Sequence, residues 1–241
     1  MIPTSPRRTT AIRLALALIV LLGAACPAWG GEPAGTVTHL SGPLLAKKAD
    51  GSIRSLYIDS AVEEGDVLIT EKRTYARFKM RDDTEITLRP NTQFKVDRFS
   101  FDKDRPQEDR SFYSLIKGGI RTVTGQIGKR GSQDDYRMST PTAVTGVRGT
   151  GYGLTLCQQD CESLPDGLYI EVFEGSIIVY NKAGSQIYTI GQYGYVMGPD
   201  GKPTLLPGRP NLPPFSPPPS VPSLLPGQGG PPPGPPFCEM R

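Results

Sequence analysis

Apolar and polar residues alternate along much of this chain with a period of two, as expected for half-buried β-strands. Residues 76–80 read Ala-Arg-Phe-Lys-Met, and residues 85–88 read Glu-Ile-Thr-Leu after a short turn. This pattern predicts a hairpin with one apolar face and one charged face. The apolar face is expected to contain Phe78, Met80, Ile86 and Leu88.

Similar runs rich in Val, Ile, Thr, Tyr and Phe recur from Gly35 to Val196, separated by Gly, Asp, Asn and Pro. Almost no helical period occurs in this interval. The pattern predicts an all-β domain over residues 35–196, built of antiparallel hairpins that form a sandwich or a roll. A domain of about 160 residues can bury a hydrophobic core of its own.

A charged segment with a proline, residues 102–110, interrupts the strand pattern. Its acidic residues suggest a calcium site. However, their spacing lacks the central glycine and the final glutamate of an EF-hand loop, and basic residues alternate with them. We therefore expect a solvent-exposed loop without a metal.

The first 30 residues have the composition of an export signal. Three arginines precede an apolar run at residues 14–25, and small residues at positions 28 and 30 suit cleavage after Gly30. The run is shorter than the roughly 20 apolar residues that span a membrane, although an uncleaved anchor is an alternative. Lipidation of Cys26 is a further alternative. Export would place a mature protein without a membrane span in the oxidising periplasm or at the cell surface of a bacterium.

The predicted leader changes the charge of the protein. The chain has 27 basic and 24 acidic residues, and three of the basic residues lie in the leader. The mature chain is therefore expected to be neutral, without a general affinity for nucleic acid. A basic patch around Arg77 and Lys79 is expected to pair with acidic neighbours on the next strand. The one histidine, His39, excludes a multi-histidine metal centre.

Cysteine spacing agrees with an oxidising compartment. Cys157 and Cys161 form a C-x3-C pair between two strand-like runs, and we expect a disulfide between them. A redox-active pair and half of a zinc site are the alternatives. The sequence has no second cysteine pair or histidine cluster to complete a zinc site. Cys238 is left over, either free or paired with another chain.

The composition changes near the C-terminus, where 16 of the 25 prolines lie at or after Pro199. Such a segment favours polyproline II and flexible turns over a packed core. Residues 197–241 are therefore predicted to be a disordered proline-rich tail that acts as a spacer. The alternatives are a ligand for a proline-binding groove and an attachment to the cell wall.

Patterns that indicate catalysis are weak. The adjacent carboxylates Glu63-Glu64, Asp82-Asp83 and Asp134-Asp135 lie in predicted turns, and adjacency does not hold two carboxylates across a cleft. The glycines at residues 149–153 lack the strand-then-helix context of a nucleotide-binding loop. We expect no cofactor and no enzymatic activity, and a hydrolase of envelope polymers is the least favoured hypothesis.

The segment TPTAVTGVRGT at residues 140–150 resembles the central signature of the FecR domain family. Other motifs of that family are matched in the expected order by residues 64–70, 83–90, 115–120, 172–177 and 190–192. The resemblance covers residues 35–196. It implies an all-β extracytoplasmic domain without catalytic residues.

The family includes regulators in which a cytoplasmic region holds a sigma factor and a periplasmic region senses a TonB-dependent receptor. Because only a leader is predicted before the β domain, this chain resembles the stand-alone exported members instead. The resemblance implies a non-catalytic binding or scaffolding module whose partner is an envelope protein or a glycan. The alternative is a periplasmic signalling component that acts in trans on a TonB-dependent receptor or a sigma-factor regulator.

We expect the signature to be mainly structural through six residues: Thr140, Pro141, Gly146, Arg148, Gly149 and Thr150. Proline favours a turn or a strand start, and the two glycines permit close approach of the backbone. Arg148 lies between glycines, where its planar guanidinium can reach carbonyls or a carboxylate. We expect a buried structural clamp at Arg148, and a contact with a ligand is the alternative.

Overall fold

The structure, a computed structural model, describes residues 32–130, 134–161, 164–212 and residue 215. The predicted leader, with Cys26, and the last part of the predicted tail, with Cys238, lie outside these residues. Within the described part of the chain, no helix is both long enough and apolar enough to cross a membrane.

In the part of the chain that the structure describes, seventeen strands form one hydrogen-bonded network. The first eight are β1 (Gly35–Leu40), β2 (Leu44–Lys47), β3 (Ile53–Leu56), β4 (Ala61–Val62), β5 (Val67–Thr70), β6 (Ala76–Met80), β7 (Glu85–Leu88) and β8 (Gln93–Ser100). The longest strand is β9 (Arg110–Val123). The last eight are β10 (Tyr136–Ser139), β11 (Val144–Val147), β12 (Gly151–Cys157), β13 (Gly167–Glu174), β14 (Ser176–Asn181), β15 (Gly184–Thr189), β16 (Tyr193–Val196) and β17 (Thr204–Leu206). Among the described residues, the helical elements are a 3-10 turn (Pro106–Glu108) and the short helix α1 (Gln126–Arg130).

Strand β9 divides the network into two sheets, because its first part pairs with β8 and β10 and its second part with β7 and β12. Sheet 1 has the order β4-β1-β6-β7-β9-β12-β13-β16-β17. Sheet 2 has the order β3-β2-β5-β8-β9-β10-β11-β14-β15. All of these pairs are antiparallel except β9 with β10. The prediction of an all-β, hairpin-built architecture is confirmed.

Gly118 marks the point where β9 passes from sheet 2 to sheet 1. Its φ of +84° lies in the left-handed region that favours glycine. A Cβ atom at this position would lie 2.5 Å from the hydroxyl of Thr92. That hydroxyl accepts a hydrogen bond from the N–H of Gly119 at 3.0 Å. The bend therefore requires a residue without a side chain.

The inner faces of the two sheets pack into one hydrophobic core. The four apolar residues predicted to share a face are all buried: Phe78, Met80, Ile86 and Leu88. Phe78 of sheet 1 contacts Phe94 of sheet 2 with 5.6 Å between ring centroids. The hydroxyls of Tyr136 and Tyr152 lie 3.2 Å apart and join the two sheets. Burial of each large side chain stabilises the fold by roughly 1.5–3 kcal/mol.

The folded domain continues past the boundary predicted at residue 196. Strand β17 pairs with β16, and Leu206 and Leu212 pack against Tyr169 and the disulfide between Cys157 and Cys161. The prediction that disorder begins at residue 197 is therefore wrong for this segment. The reason is that two leucines among the prolines find an apolar surface on the outer face of sheet 1.

The charged segment at residues 102–110 is tied to the domain by α1. The carboxylate of Asp109 is fully buried and accepts hydrogen bonds from Arg130 Nε at 3.1 Å and Nη2 at 2.8 Å. Arg130 also donates to the backbone carbonyls of Asp102 and Lys103. Residues 103–108 of the segment are exposed, as its composition predicts, while Arg130 ties both ends of the segment to the domain.

Candidate binding site

The first half of the signature forms the loop between β10 and β11, residues 140–143, which we call the signature loop. The hydroxyl of Thr140 accepts hydrogen bonds from the N–H groups of Thr142 at 3.2 Å and Ala143 at 3.0 Å. It donates to the carbonyl of Ala143 at 2.9 Å. Pro141 is exposed at the loop tip, and Gly146 is buried within β11. Thr140 thus determines the shape of this loop.

The second half of the signature forms a turn at residues 148–150, which we call the signature turn. It carries the chain from β11 in sheet 2 to β12 in sheet 1. Gly149 has a φ of +62°, and its N–H donates to a backbone carbonyl of α1 at 2.6 Å. The N–H of Thr150 donates to the hydroxyl of Thr124 at 2.7 Å, and its own hydroxyl donates to the carbonyl of Ser176 at 2.7 Å. The backbone of the turn is therefore held from three sides.

The side chain of Arg148 is exposed, and the described residues provide neither an ion pair nor a hydrogen bond for its guanidinium. The expectation of a buried clamp is wrong because Gly149 and Thr150 anchor the turn through other groups. An exposed guanidinium on an anchored turn is suited to contact a carboxylate or another acceptor of a partner.

A cleft of about 400 Å³ adjoins the signature loop. The disulfide between Cys157 and Cys161 is formed, as predicted, and closes the loop that begins at the end of β12. Residues from three loops line the cleft: Pro141, Thr142, Gln158, Gln159, Asp166 and Met197. Met197, at the edge of the cleft, is 74% exposed.

The carboxylates of Glu63 and Glu64 do not converge on a cleft. Glu63 forms an ion pair with Lys48 at 2.8 Å, and this hydrogen bond lowers the pKa of Glu63. Lys48 also contacts the fully buried Asp66 at 3.0 Å, and Arg54 contacts the other oxygen of Asp66 at 2.5 Å. Sequence reasoning included Asp66 only within the family motif at residues 64–70, because its partners Lys48, after β2, and Arg54, on β3, are distant in sequence.

Asp82 and Asp83 are adjacent in sequence but lie in different environments. Asp83 pairs with Lys79 at 2.8 Å on the surface, which lowers the pKa of Asp83. Asp82 is buried, and the loss of solvation raises its pKa although Thr84 and the N–H of Ile127 donate hydrogen bonds to it. These carboxylates therefore organise turns and do not face a common cleft.

The remaining candidate residues also lie apart. Asp134 pairs with Arg137 at 2.8 Å and Asp135 with Arg110 at 2.9 Å. His39 is half-buried on β1. Among the described residues, no group of three or more His, Cys, Asp or Glu side chains could hold a metal ion.

Sequence reasoning missed a group of side chains on the outer face of sheet 1. Arg121 on β9 stacks on the ring of Phe173, with 3.8 Å between the guanidinium carbon and the ring centroid. Arg121 and Arg77 line one pocket together with Phe215, which belongs to the predicted tail. Alternation alone places Arg77 on an outer face, but the pairing of distant strands that joins these residues has no local signal.

The described chain is thus an all-β domain in which two sheets share strand β9, and hydrogen bonds anchor the signature turn between them. A family model described as FecR protein matches residues 66–178. The matched range contains the signature, the disulfide and the whole of β9. This match confirms the resemblance of the motifs to the FecR family.

Two crystal structures from Parabacteroides distasonis ATCC 8503, each described as a "putative anti-sigma factor", are similar to this chain with TM-scores of 0.46 and 0.45. Sequence identity is 12% in both comparisons. The alignments cover 59% of this chain and 59% of the Parabacteroides chains, so this chain spans somewhat more than half of their length. A search of curated proteins gave no match.

Proposed function

We propose that this protein is a non-catalytic binding module of the bacterial envelope, exported by its leader, whose partner is an envelope protein or a glycan. The FecR domain at residues 66–178 supports a role in the envelope. The signature turn is the observation that carries the proposal. The turn is anchored to α1 and Thr124 through backbone N–H groups and to Ser176 through the hydroxyl of Thr150, while the guanidinium of Arg148 is exposed.

Binding at this turn needs no bond-making chemistry. The guanidinium of Arg148 presents five N–H donors in a planar fork, which matches the geometry of a carboxylate. Because hydrogen bonds hold the backbone of the turn before a partner arrives, little backbone entropy is lost on binding. The cleft beside the signature loop, with the exposed Met197 at its edge, offers an additional surface for the same partner.

Affinity capture from the native envelope tests this function. The mature chain, Arg148→Ala and Arg98→Ala are immobilised and compared, since Arg98 is a second exposed arginine that lies on β8. We expect Arg148→Ala to recover about tenfold less of one specific protein or glycan, and Arg98→Ala to recover the same amount as the unmodified chain. Equal recovery by both variants would exclude Arg148 from the site. Turnover of an envelope polymer by the purified protein would contradict a non-catalytic function.

A second candidate is envelope signalling in trans on a TonB-dependent receptor or a sigma-factor regulator. The FecR domain favours it, because the regulatory members of the family act in that process. A sigma-dependent transcription reporter in strains with and without this protein tests the candidate. We expect reporter output to change when the protein is removed if this candidate is correct, and unchanged output would exclude it. Genes for a sigma factor and a TonB-dependent receptor beside this one would favour signalling.

A further inference from the structure

Two arginines without ion pairs face one pocket on the outer face of sheet 1. Arg77 on β6 and Arg121 on β9 flank Thr87 on β7 in a single cross-strand row. Neighbouring strands lie about 4.8 Å apart, so the two arginine backbones are separated by roughly 10 Å, within the combined reach of two long side chains. Within the described chain, neither guanidinium forms a salt bridge.

One aromatic ring lines the pocket, and a second supports one of its arginines. Phe173 lies under the guanidinium of Arg121, and Phe215 lines the pocket directly. Gly153, which pairs with Arg121 across β9 and β12, leaves the space that the ring of Phe215 occupies. A Cβ atom at Gly153 would lie 3.2 Å from that ring. Arg89 approaches the same ring from another side, 5.2 Å from its centroid.

The size and the charge of the pocket restrict what it can hold. Its volume is about 220 Å³. This is below the roughly 300–1,000 Å³ of sites that bind free small molecules, but it is sufficient for one side chain of a larger partner. Six residues line it: Arg77, Glu85, Thr87, Arg121, Val123 and Phe215. Two positive groups against one negative group favour an anionic occupant.

We propose that this pocket binds a carboxylate side chain from an acidic segment of a partner protein. Two guanidinium groups can donate to one carboxylate in fork geometry, and the hydroxyl of Thr87 is a further donor. Val123 and Phe215 cover the apolar stem that a glutamate carries. This inference rests on the proposed binding function, and it adds a site distinct from Arg148 together with the chemistry of the partner.

Fluorescence anisotropy with a labelled peptide of alternating Glu and Thr residues tests the proposal. The matched peptide has Gln in place of Glu, and oligogalacturonate supplies the same charge on a glycan. We expect the Glu peptide to bind, and the affinity to fall with rising salt because the site is open to solvent. Arg77→Gln and Arg121→Gln should each weaken binding about tenfold.

Glu85→Gln should tighten binding about threefold, because it removes the one negative group from the pocket. Arg98→Gln on β8 is the matched control and should leave the affinity unchanged. Arg121→Lys keeps the charge without the fork and should give an intermediate affinity. The melting temperature of each variant is measured first. It should stay unchanged for Arg77 and Glu85, which are exposed, and fall slightly for Arg121→Gln, which loses the stacking on Phe173.

Absence of Glu-peptide binding, equal binding of the Gln peptide, or unchanged affinity in both arginine-to-glutamine variants would overturn the proposal. Tighter binding of oligogalacturonate than of the Glu peptide would overturn the assignment to a protein segment. If the peptide experiment fails while capture from the envelope still depends on Arg148, this pocket is wrong and the proposed function stands. If capture fails as well, both are wrong.

Discussion

Arg130 is the last residue of α1, and Arg148 belongs to the signature turn, which is hydrogen-bonded to α1. Of these two arginines, only Arg130 acts as a structural clamp. Arg130 donates to the buried carboxylate of Asp109 at 2.8 and 3.1 Å, and to the carbonyls of Asp102 and Lys103 at 2.7 and 3.2 Å. Arg148 belongs to the signature but has an exposed side chain without such partners. A guanidinium becomes structural only where the fold places a buried acceptor within its reach.

The comparison separates two roles within the signature turn, namely holding the fold together and contacting another molecule. In the signature turn, Gly149 and Thr150 provide the structural contacts through the backbone and a hydroxyl. The arginine between them is therefore available for another molecule. In the segment around Arg130, which resembles no motif, the side chain itself holds the charged loop against the domain.

The largest expected effect is that of Arg130→Ala. Removing the guanidinium leaves the buried carboxylate of Asp109 without its ionic partner, and we expect the free energy of unfolding to fall by about 3 kcal/mol. Urea unfolding monitored by circular dichroism measures it. Arg130→Ala combined with Asp109→Asn should recover part of the loss, because no buried charge remains. A loss below about 0.5 kcal/mol would show that Arg130 is not a clamp.

Removal of the disulfide shows how much stability a covalent link contributes, for comparison with the ion pair of Arg130. The bond between Cys157 and Cys161 closes a short loop, so Cys157→Ser with Cys161→Ser should lower the free energy of unfolding by about 2 kcal/mol. Faster amide exchange is expected at Leu212, which packs on this loop. Thermal unfolding with and without reductant gives an independent measurement, and an effect of reductant on the double variant would contradict the assignment.

Gly149→Ala tests the backbone of the signature turn apart from its arginine. The φ of +62° is strained for alanine, and we expect the free energy of unfolding to fall by about 1 kcal/mol. No backbone atom obstructs a Cβ atom at this position, because the nearest atom is Cγ of the flexible Lys129 side chain at 3.5 Å. Partner capture should weaken as well. Gly51→Ala, at a surface turn with a φ of +87°, is the control that keeps capture unchanged.

The smallest effect on stability is expected for Arg148→Ala. Because the side chain has no partner among the described residues, the free energy of unfolding should change by less than about 0.5 kcal/mol. Chemical denaturation measures this beside the Arg130→Ala variant. A loss comparable to that of Arg130→Ala would restore the clamp hypothesis for Arg148.

Local patterns along the chain account for the strands, the core face of the first hairpin and the disulfide. Alternation placed Phe78 and Ile86 together because side chains of a strand point to opposite faces in turn. The pairing of Cys157 with Cys161 follows from their short separation. These features depend on neighbours within a few residues, so they can be read without knowledge of the fold.

Contacts between distant segments followed from no such pattern. Burial of Asp109, docking of Leu212 and the shared pocket of Arg77 and Arg121 all depend on contacts between segments that are far apart in sequence. Strand pairing joins residues that are far apart in sequence, and many registers satisfy the same alternation. The hairpins could therefore be predicted from the sequence alone. The buried hydrogen-bond acceptors and the pockets formed by distant strands depended on the tertiary packing of those hairpins.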